Sequence, residues 1–105
     1  METLISEFLK AISNPTRLRI IELLKEKPMC VCDIWNALNE EQSSISKHLN
    51  ELKKAGIVDS RRDGLRIVYS VNNPRIFEII ETTKEIIRKE IEKKAQIALK
   101  KGETL

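Results

Sequence analysis

The sequence predicts a mainly α fold with a single β-hairpin, in the order α-α-α-α-β-β-α, and three observations predict it. Residues Cys30 to Gly56 read as two short helices joined by a tight turn. Past Ile57 the apolar period changes from helical to strand-like around an Asp63-Gly64 pair, a strong hairpin signal. From Pro74 to Lys100 a long apolar stripe returns at helical spacing.

Thr3 to Ile12 forms the first helix, with Leu4, Ile5, Phe8, Leu9 and Ile12 on one face. Ser13-Asn14-Pro15 ends it and starts the next. Asn14 can cap, and Pro15 suits the first helical position, where its missing N–H costs nothing. The second helix runs from Thr16 to about Lys25 with Leu18, Ile20, Ile21 and Leu24 inward, and Pro28 stops that stretch. The third begins at or just after Cys30 and carries Val31, Ile34, Trp35 and Leu38; Asn39-Glu40-Glu41 interrupts the pattern. The fourth, from Gln42, has Ile45, Leu49 and Leu52 on its apolar stripe, while Ser43, Ser44, Ser46, Lys47, Asn50, Lys53 and Lys54 face outward. Ala55-Gly56 stops it, with glycine where a left-handed cap is needed. Two helices, a short turn and a polar N-terminal half on the second make a helix-turn-helix.

Ile57–Arg61 and Arg66–Val71 read as two strands joined by Arg62-Asp63-Gly64-Leu65. A hairpin directly behind a helix-turn-helix is the wing of a winged helix-turn-helix. In the last helix Ile76, Phe77, Ile80, Thr83, Ile87, Ile91, Ala95 and Ala98 form the stripe, broadened by Ile79 and Ile86. It is longer than the preceding body can cover, so its far half is expected to pair with another chain. Lys101 to Leu105 are expected to fray.

The totals agree with one domain spanning 1–105. Its 105 residues and 41% apolar content suffice for one modest core. The net charge is only +3, but Lys47, Lys53, Lys54, Arg61, Arg62, Arg66 and Arg75 gather in the middle third, which permits a nucleic-acid partner. Neither a leader segment nor a membrane-spanning apolar run is present, so a cytoplasmic protein with no membrane partner is expected. There, two cysteines read as thiols, ligands or redox switches rather than as a structural disulfide. With one histidine, three glycines, no Ser/His/Asp constellation and no phosphate-cradling loop, an enzyme is not expected.

The ordered set of Ala11–Ile20 (AISNPTRLRI), Cys30–Ile34 (CVCDI), Gln42–Leu49 (QSSISKHL), Ala55–Val58 (AGIV) and the Arg61–Tyr69 wing resembles the ArsR/SmtB family of winged-helix repressors. The resemblance covers nearly the whole chain. It implies a homodimer joined by the first and last helices (1–13 and 74–100), a partly palindromic double-stranded DNA operator, and release when a sensor site fills. The CVCD motif resembles the sensor of the arsenic- and cadmium/lead-responsive branches. One departure stands out: where a third cysteine often follows in the arsenic branch, this chain has Trp35.

A helix N-terminus offers free amides and a positive dipole end to phosphate. Gln42, Ser44, Ser46, Lys47 and Asn50 are expected to reach the major groove, with Ser43 beside them; Arg61, Arg62 and Arg66 on the wing should meet phosphate or the minor groove. Such residues on an arbitrary helix would be a solvated face; the helix before and the wing behind favour DNA here. Lys53 and Lys54 fall to phosphate or solvent. His48 lies beside the Ile45/Leu49/Leu52 stripe, where a packed histidine and a DNA contact remain open. It has no second histidine to share a metal with.

Cys30 and Cys32 stand at a helix start, which lowers a thiol pKa. Thiolates suit As(III), Sb(III), Cd(II), Pb(II) or Zn(II) as inducer. Residues two apart on a regular helix differ by about 200°, so joint ligation is expected to need an unwound first turn. Only two thiolates per chain remain, so a three-thiolate site would need a third thiolate from elsewhere, or a water, hydroxide or small thiol in its place; Asp33 reads first as a dipole-suited carboxylate and only second as a ligand. Glu78, Glu81, Glu85 and Glu90 on the last helix read as solvated charges paired at i, i+4. Metal or metalloid sensing, thiol-redox sensing and vestigial cysteines are the three readings of CVCD. From other classes come a protein-interaction module without DNA binding and a thiol-based metal carrier.

Overall fold

The structure, a computed structural model, describes residues 1–103. Its elements run α1 (Glu2–Ile12), α2 (Pro15–Leu23), β1 (Met29–Cys30), α3 (Val31–Leu38), α4 (Gln42–Lys54), β2 (Val58–Asp63), β3 (Arg66–Val71) and α5 (Ile76–Glu103). The chain divides into a unit up to Pro74 and a unit from Arg75 onward.

In the first unit the predicted stops behave as their chemistry requires. The Asn14 side chain accepts from the amides of Thr16 (2.9 Å) and Arg17 (3.1 Å), and Pro15 takes the first position of α2. Asn39 closes α3 in the left-handed region at φ 53°, a conformation asparagine tolerates better than most residues. Gly56 ends the α4 turn at φ 77°, where a Cβ would be strained. The core is Ile20 and Ile21 of α2, Ile34 of α3, Ile45, Leu49 and Leu52 of α4 and Val58 of β2, all fully buried. The α4 stripe is thus the floor on which its polar face stands. On α1 only Ala11 and Ile12 are buried, while Leu4, Ile5 and Leu9 are 63%, 50% and 44% exposed. Its apolar face is therefore mostly uncovered.

The sheet has three strands in the order β1-β3-β2, all antiparallel. The hairpin was expected, but β1 was not: two residues carry no alternation to read. The turn is also tighter than the four residues anticipated. Asp63 pairs with Arg66, leaving Gly64 and Leu65 as the loop. Gly64 lies at φ 64° and Leu65 is not positive, the pattern of a type II′ turn with glycine first.

Register decides which side chains share a face. Cys30 pairs with Val68, which pairs with Arg61; Asp63 pairs with Arg66. Because strands alternate faces, Cys30, Val68, Arg61, Asp63 and Arg66 lie on one side of the sheet. Arg62, Ile67, Tyr69 and Met29 lie on the other.

In the second unit α5 spans 28 residues, about 42 Å at the helical rise. It is helical through Glu103, although the sequence leads one to expect an irregular end from Lys101; Thr104 and Leu105 lie outside the described residues. Ile86, Ile87, Ile91, Ile97 and Leu99 are exposed along it. Glu78 pairs with Arg75 and Glu81 with Lys84, each at 3.0 Å and at i, i+3 rather than the i, i+4 expected. Among the described residues no helix is long and apolar enough to cross a membrane.

Candidate nucleic-acid interface and thiol centre

Burying Ile45, Leu49 and Leu52 turns the opposite side of α4 outward. Gln42, Ser43, Ser46, Lys47 and Asn50 are exposed there, and Ser44 is half-buried at its margin. Glu41 makes no capping bond with its side chain, so the first amides of α4 are not consumed by the helix's own cap. The face is polar, cationic at Lys47, and backed by a helix end that favours anions.

Two residues near this face are tied inward. Lys53 donates from Nζ to Ser60 Oγ at 2.6 Å, pinning the end of α4 to β2. His48 is half-buried, and its Nδ1 accepts from Arg17 Nε at 3.0 Å; Arg17 also donates from Nη1 to the Ala11 carbonyl at 3.2 Å. An imidazole accepting at Nδ1 is neutral. Burial, then the charges of Arg17 and Lys47, push the His48 pKa below its usual value, with Glu40 opposing. The packed arrangement left open by the sequence is thus the one its Nδ1 adopts, with Arg17 as partner.

The wing arginines separate. Arg61 and Arg62 are both exposed, but alternation sends them to opposite faces. Arg66 shares the Cys30 face, and its Nη2 donates to Cys30 Sγ at 2.8 Å, to Asp33 Oδ2 at 3.3 Å and, longer, to Cys32 Sγ at 3.9 Å. None of the three partners was foreseen, because the links span 33, 34 and 36 residues and depend on the β1–β3 register. Asp33 is the functional candidate that the sequence ranked low.

The expectation that both sulfurs need an unwound turn is corrected here. Cys30 is not inside α3; it is the N-cap, with extended backbone at φ −77°, ψ 161°. The 200° separation of a helix therefore does not apply, and Cys30 Sγ and Cys32 Sγ lie 2.6 Å apart without any unwinding. Cys30 Sγ also accepts from the Asp33 amide at 3.4 Å, as an N-cap side chain does. Cys30 is buried and Cys32 exposed. The hydrogen bond with Cys30, then that from Arg66, lowers the Cys32 thiol pKa against burial and the Asp33 charge. Cys30, Cys32 and Asp33 present ligand atoms within 4.8 Å of one another. Two sulfurs and one oxygen fit a thiophilic divalent ion better than Mg or Ca. Trp35, at the place of the absent third cysteine, offers no ligand atom; its Nε1 is buried without a partner among the described residues.

Residues 14–60 match the family described as "Bacterial regulatory protein, arsR family". An uncharacterised helix-turn-helix-type transcriptional regulator of Methanocaldococcus jannaschii is 46% identical over 82 residues, covering 77% of this chain and 92% of that protein. The cadmium resistance transcriptional regulatory protein CadC of Listeria innocua is 41% identical over 78 residues, 73% of this chain and 66% of CadC. The transcriptional repressor SdpR of Bacillus subtilis is 41% identical over 80 residues, 76% and 89% of the two chains. Among solved structures, Rv0081 of M. tuberculosis superposes with a TM-score of 0.81 at 32% identity, covering 90% of this chain and 95% of that one. The homodimeric winged helix-turn-helix DNA-binding domain Mb0332 of Mycobacterium bovis gives a TM-score of 0.76 at 26% identity, covering 86% and 83%.

Proposed function

The chain belongs to the arsR family of bacterial regulatory proteins and is a winged helix-turn-helix transcriptional repressor, and on that premise we propose that it binds a partly palindromic operator as a homodimer and leaves it when a thiophilic metal ion fills the Cys30/Cys32 centre. The observation that carries this is the convergence of Cys30, Cys32 and Asp33 at the start of α3, one helix ahead of α4. Gln42, Ser43, Ser44, Ser46, Lys47 and Asn50 read the major groove, where a helix fits and hydroxyl, amide and ammonium groups find base edges and phosphates. Arg62 and Arg61 reach phosphate or the minor groove from the wing; His48 shapes α4 from behind through Arg17. The uncovered apolar faces of α1 (Leu4, Ile5, Leu9) and α5 (Ile86, Ile87, Ile91) support a homodimer through those helices, as does the homodimeric description of Mb0332.

Cadmium, lead or zinc suits a centre of two sulfurs and a carboxylate; As(III) or Sb(III) would bind two sulfurs and keep a hydroxide as third ligand. The relationship to CadC, a cadmium resistance regulator, points the same way. The test is fluorescence anisotropy of the protein on the DNA upstream of its own gene, with Cd(II), Zn(II), arsenite or a thiol oxidant added. Cadmium should weaken binding in the wild type and leave the Cys30→Ser/Cys32→Ser variant unaffected. Release by oxidant alone would assign the two adjacent sulfurs to redox sensing instead, and indifference to all four would leave a repressor without a thiol inducer.

A further inference from the structure

The sequence places Arg66 among the DNA-contacting arginines of the wing, yet its guanidinium is held by the thiol centre. One nitrogen, Nη2, reaches all three members of that centre, at 2.8 Å from Cys30 Sγ, 3.3 Å from Asp33 Oδ2 and 3.9 Å from Cys32 Sγ. Those three side chains are the one group of three potential metal-ligating residues found among the described residues. A positively charged nitrogen therefore already contacts the three atoms that a metal ion would need.

We infer that Arg66 is the built-in cation of this centre, that a thiophilic divalent ion takes Cys30, Cys32 and Asp33 as ligands by displacing it, and that the displaced arginine carries the event into the wing. The inference rests on the metal-sensing reading above. Four physical points support it. Metal–sulfur bonds are about 2.3 Å long, so the ion and Nη2 compete for the same sulfur electrons and the same space. A dipositive ion repels a guanidinium that was there for the negative charge the ion now neutralises. Any thiol still protonated releases its proton to solvent as it ligates.

The fourth point is leverage. Arg66 is the first residue of β3, paired with Asp63 beside the tip of the wing. Cys30 is bonded to the same strand through its pairing with Val68. The sulfur-bearing segment and the wing are thus one sheet, and the arginine that closes the bond between them is the group the ion evicts. Asp33 gains a role in the same step: its carboxylate passes from Arg66 to the metal and supplies the third donor that the missing cysteine would have supplied.

The experiment measures operator affinity with and without Cd(II) in the wild type, Arg66→Ala and Arg66→Lys, with cadmium binding followed separately by its thiolate charge-transfer absorption. Arg66 is 58% exposed, so its truncation leaves no core cavity; far-UV circular dichroism checks the fold of each variant. In the wild type cadmium should weaken the operator complex by a factor of about 5–150, the usual range of coupling between two sites. In Arg66→Ala the metal-free protein should already bind weakly, the absorption should persist, and the ratio of affinities without and with cadmium should fall toward one. Arg66→Lys, which keeps the charge but not the fork, should lie between. If Arg66 is only a phosphate contact, its removal weakens both states equally and leaves the ratio intact, which overturns the inference while leaving metal sensing in place. If the wild type shows no charge-transfer absorption, the metal-sensing reading falls and takes this one with it. In Asp33→Asn the absorption should remain while cadmium affinity drops; an unchanged affinity removes Asp33 from the ligand set and overturns that part.

Discussion

Replacing Lys47 by alanine separates a DNA-docking face from a merely solvated one. Lys47 is exposed on the outer side of α4, while the stripe Ile45, Leu49 and Leu52 beneath it is fully buried, so the substitution leaves the core untouched. If its ammonium neutralises one phosphate, the slope of log affinity against log salt loses about 0.9 per copy, and about 1.8 for two copies on one operator. Between about 50 and about 200 mM salt, a fourfold change, that slope difference shrinks the gap between wild type and variant by about twelvefold. Arg62→Ala should behave alike from the wing. Lys53→Ala is the internal control: its Nζ is held by Ser60 at 2.6 Å, so its removal should change the salt slope much less. Fluorescence anisotropy titrations at four or more salt concentrations suffice. Parallel salt lines for wild type, Lys47→Ala and Arg62→Ala would refute the docking geometry.

Two further outcomes follow from the same geometry. Because burial and Arg17 hold the His48 pKa below 6.5 in the folded state, the unfolded chain binds more protons in the window below 6.5, so stability is greatest above it and is lost as pH falls through the folded value; urea midpoints between about pH 7.5 and about pH 5.5 should fall more for wild type than for His48→Gln. Ile5→Glu on α1 and Ile91→Glu on α5 place charges on faces that are 50% and 60% exposed in the single chain; sedimentation should find both shifted toward monomer with weakened operator binding, and unchanged dimers would place the subunit contact elsewhere.

The helices were legible because their signals are local. Asn14-Pro15, Gly56 and the 45/49/52 stripe each act within a turn or two of chain, and each appears as expected. The identity of the polar face of α4 follows from the same arithmetic, since burying one stripe exposes its complement. Where the reading erred, the cause was a partner distant in sequence. The angle of about 200° between Cys30 and Cys32 holds only inside a regular helix, and the pairing of Cys30 with Val68 makes it a strand residue and an N-cap. The three wing arginines looked equivalent until the register divided them.

By itself, then, the order of residues determined the succession of elements, the outward set on the recognition helix and the presence of a thiol pair at a helix start, because periodicity, caps and turn chemistry are short-range. Only the tertiary structure decided which charges meet. Arg66 reaches Cys30 and Asp33 rather than solvent, Arg17 reaches His48, and Lys53 reaches Ser60. Such pairings depend on strand register and helix placement set by burial of the whole core, and no local spacing encodes them.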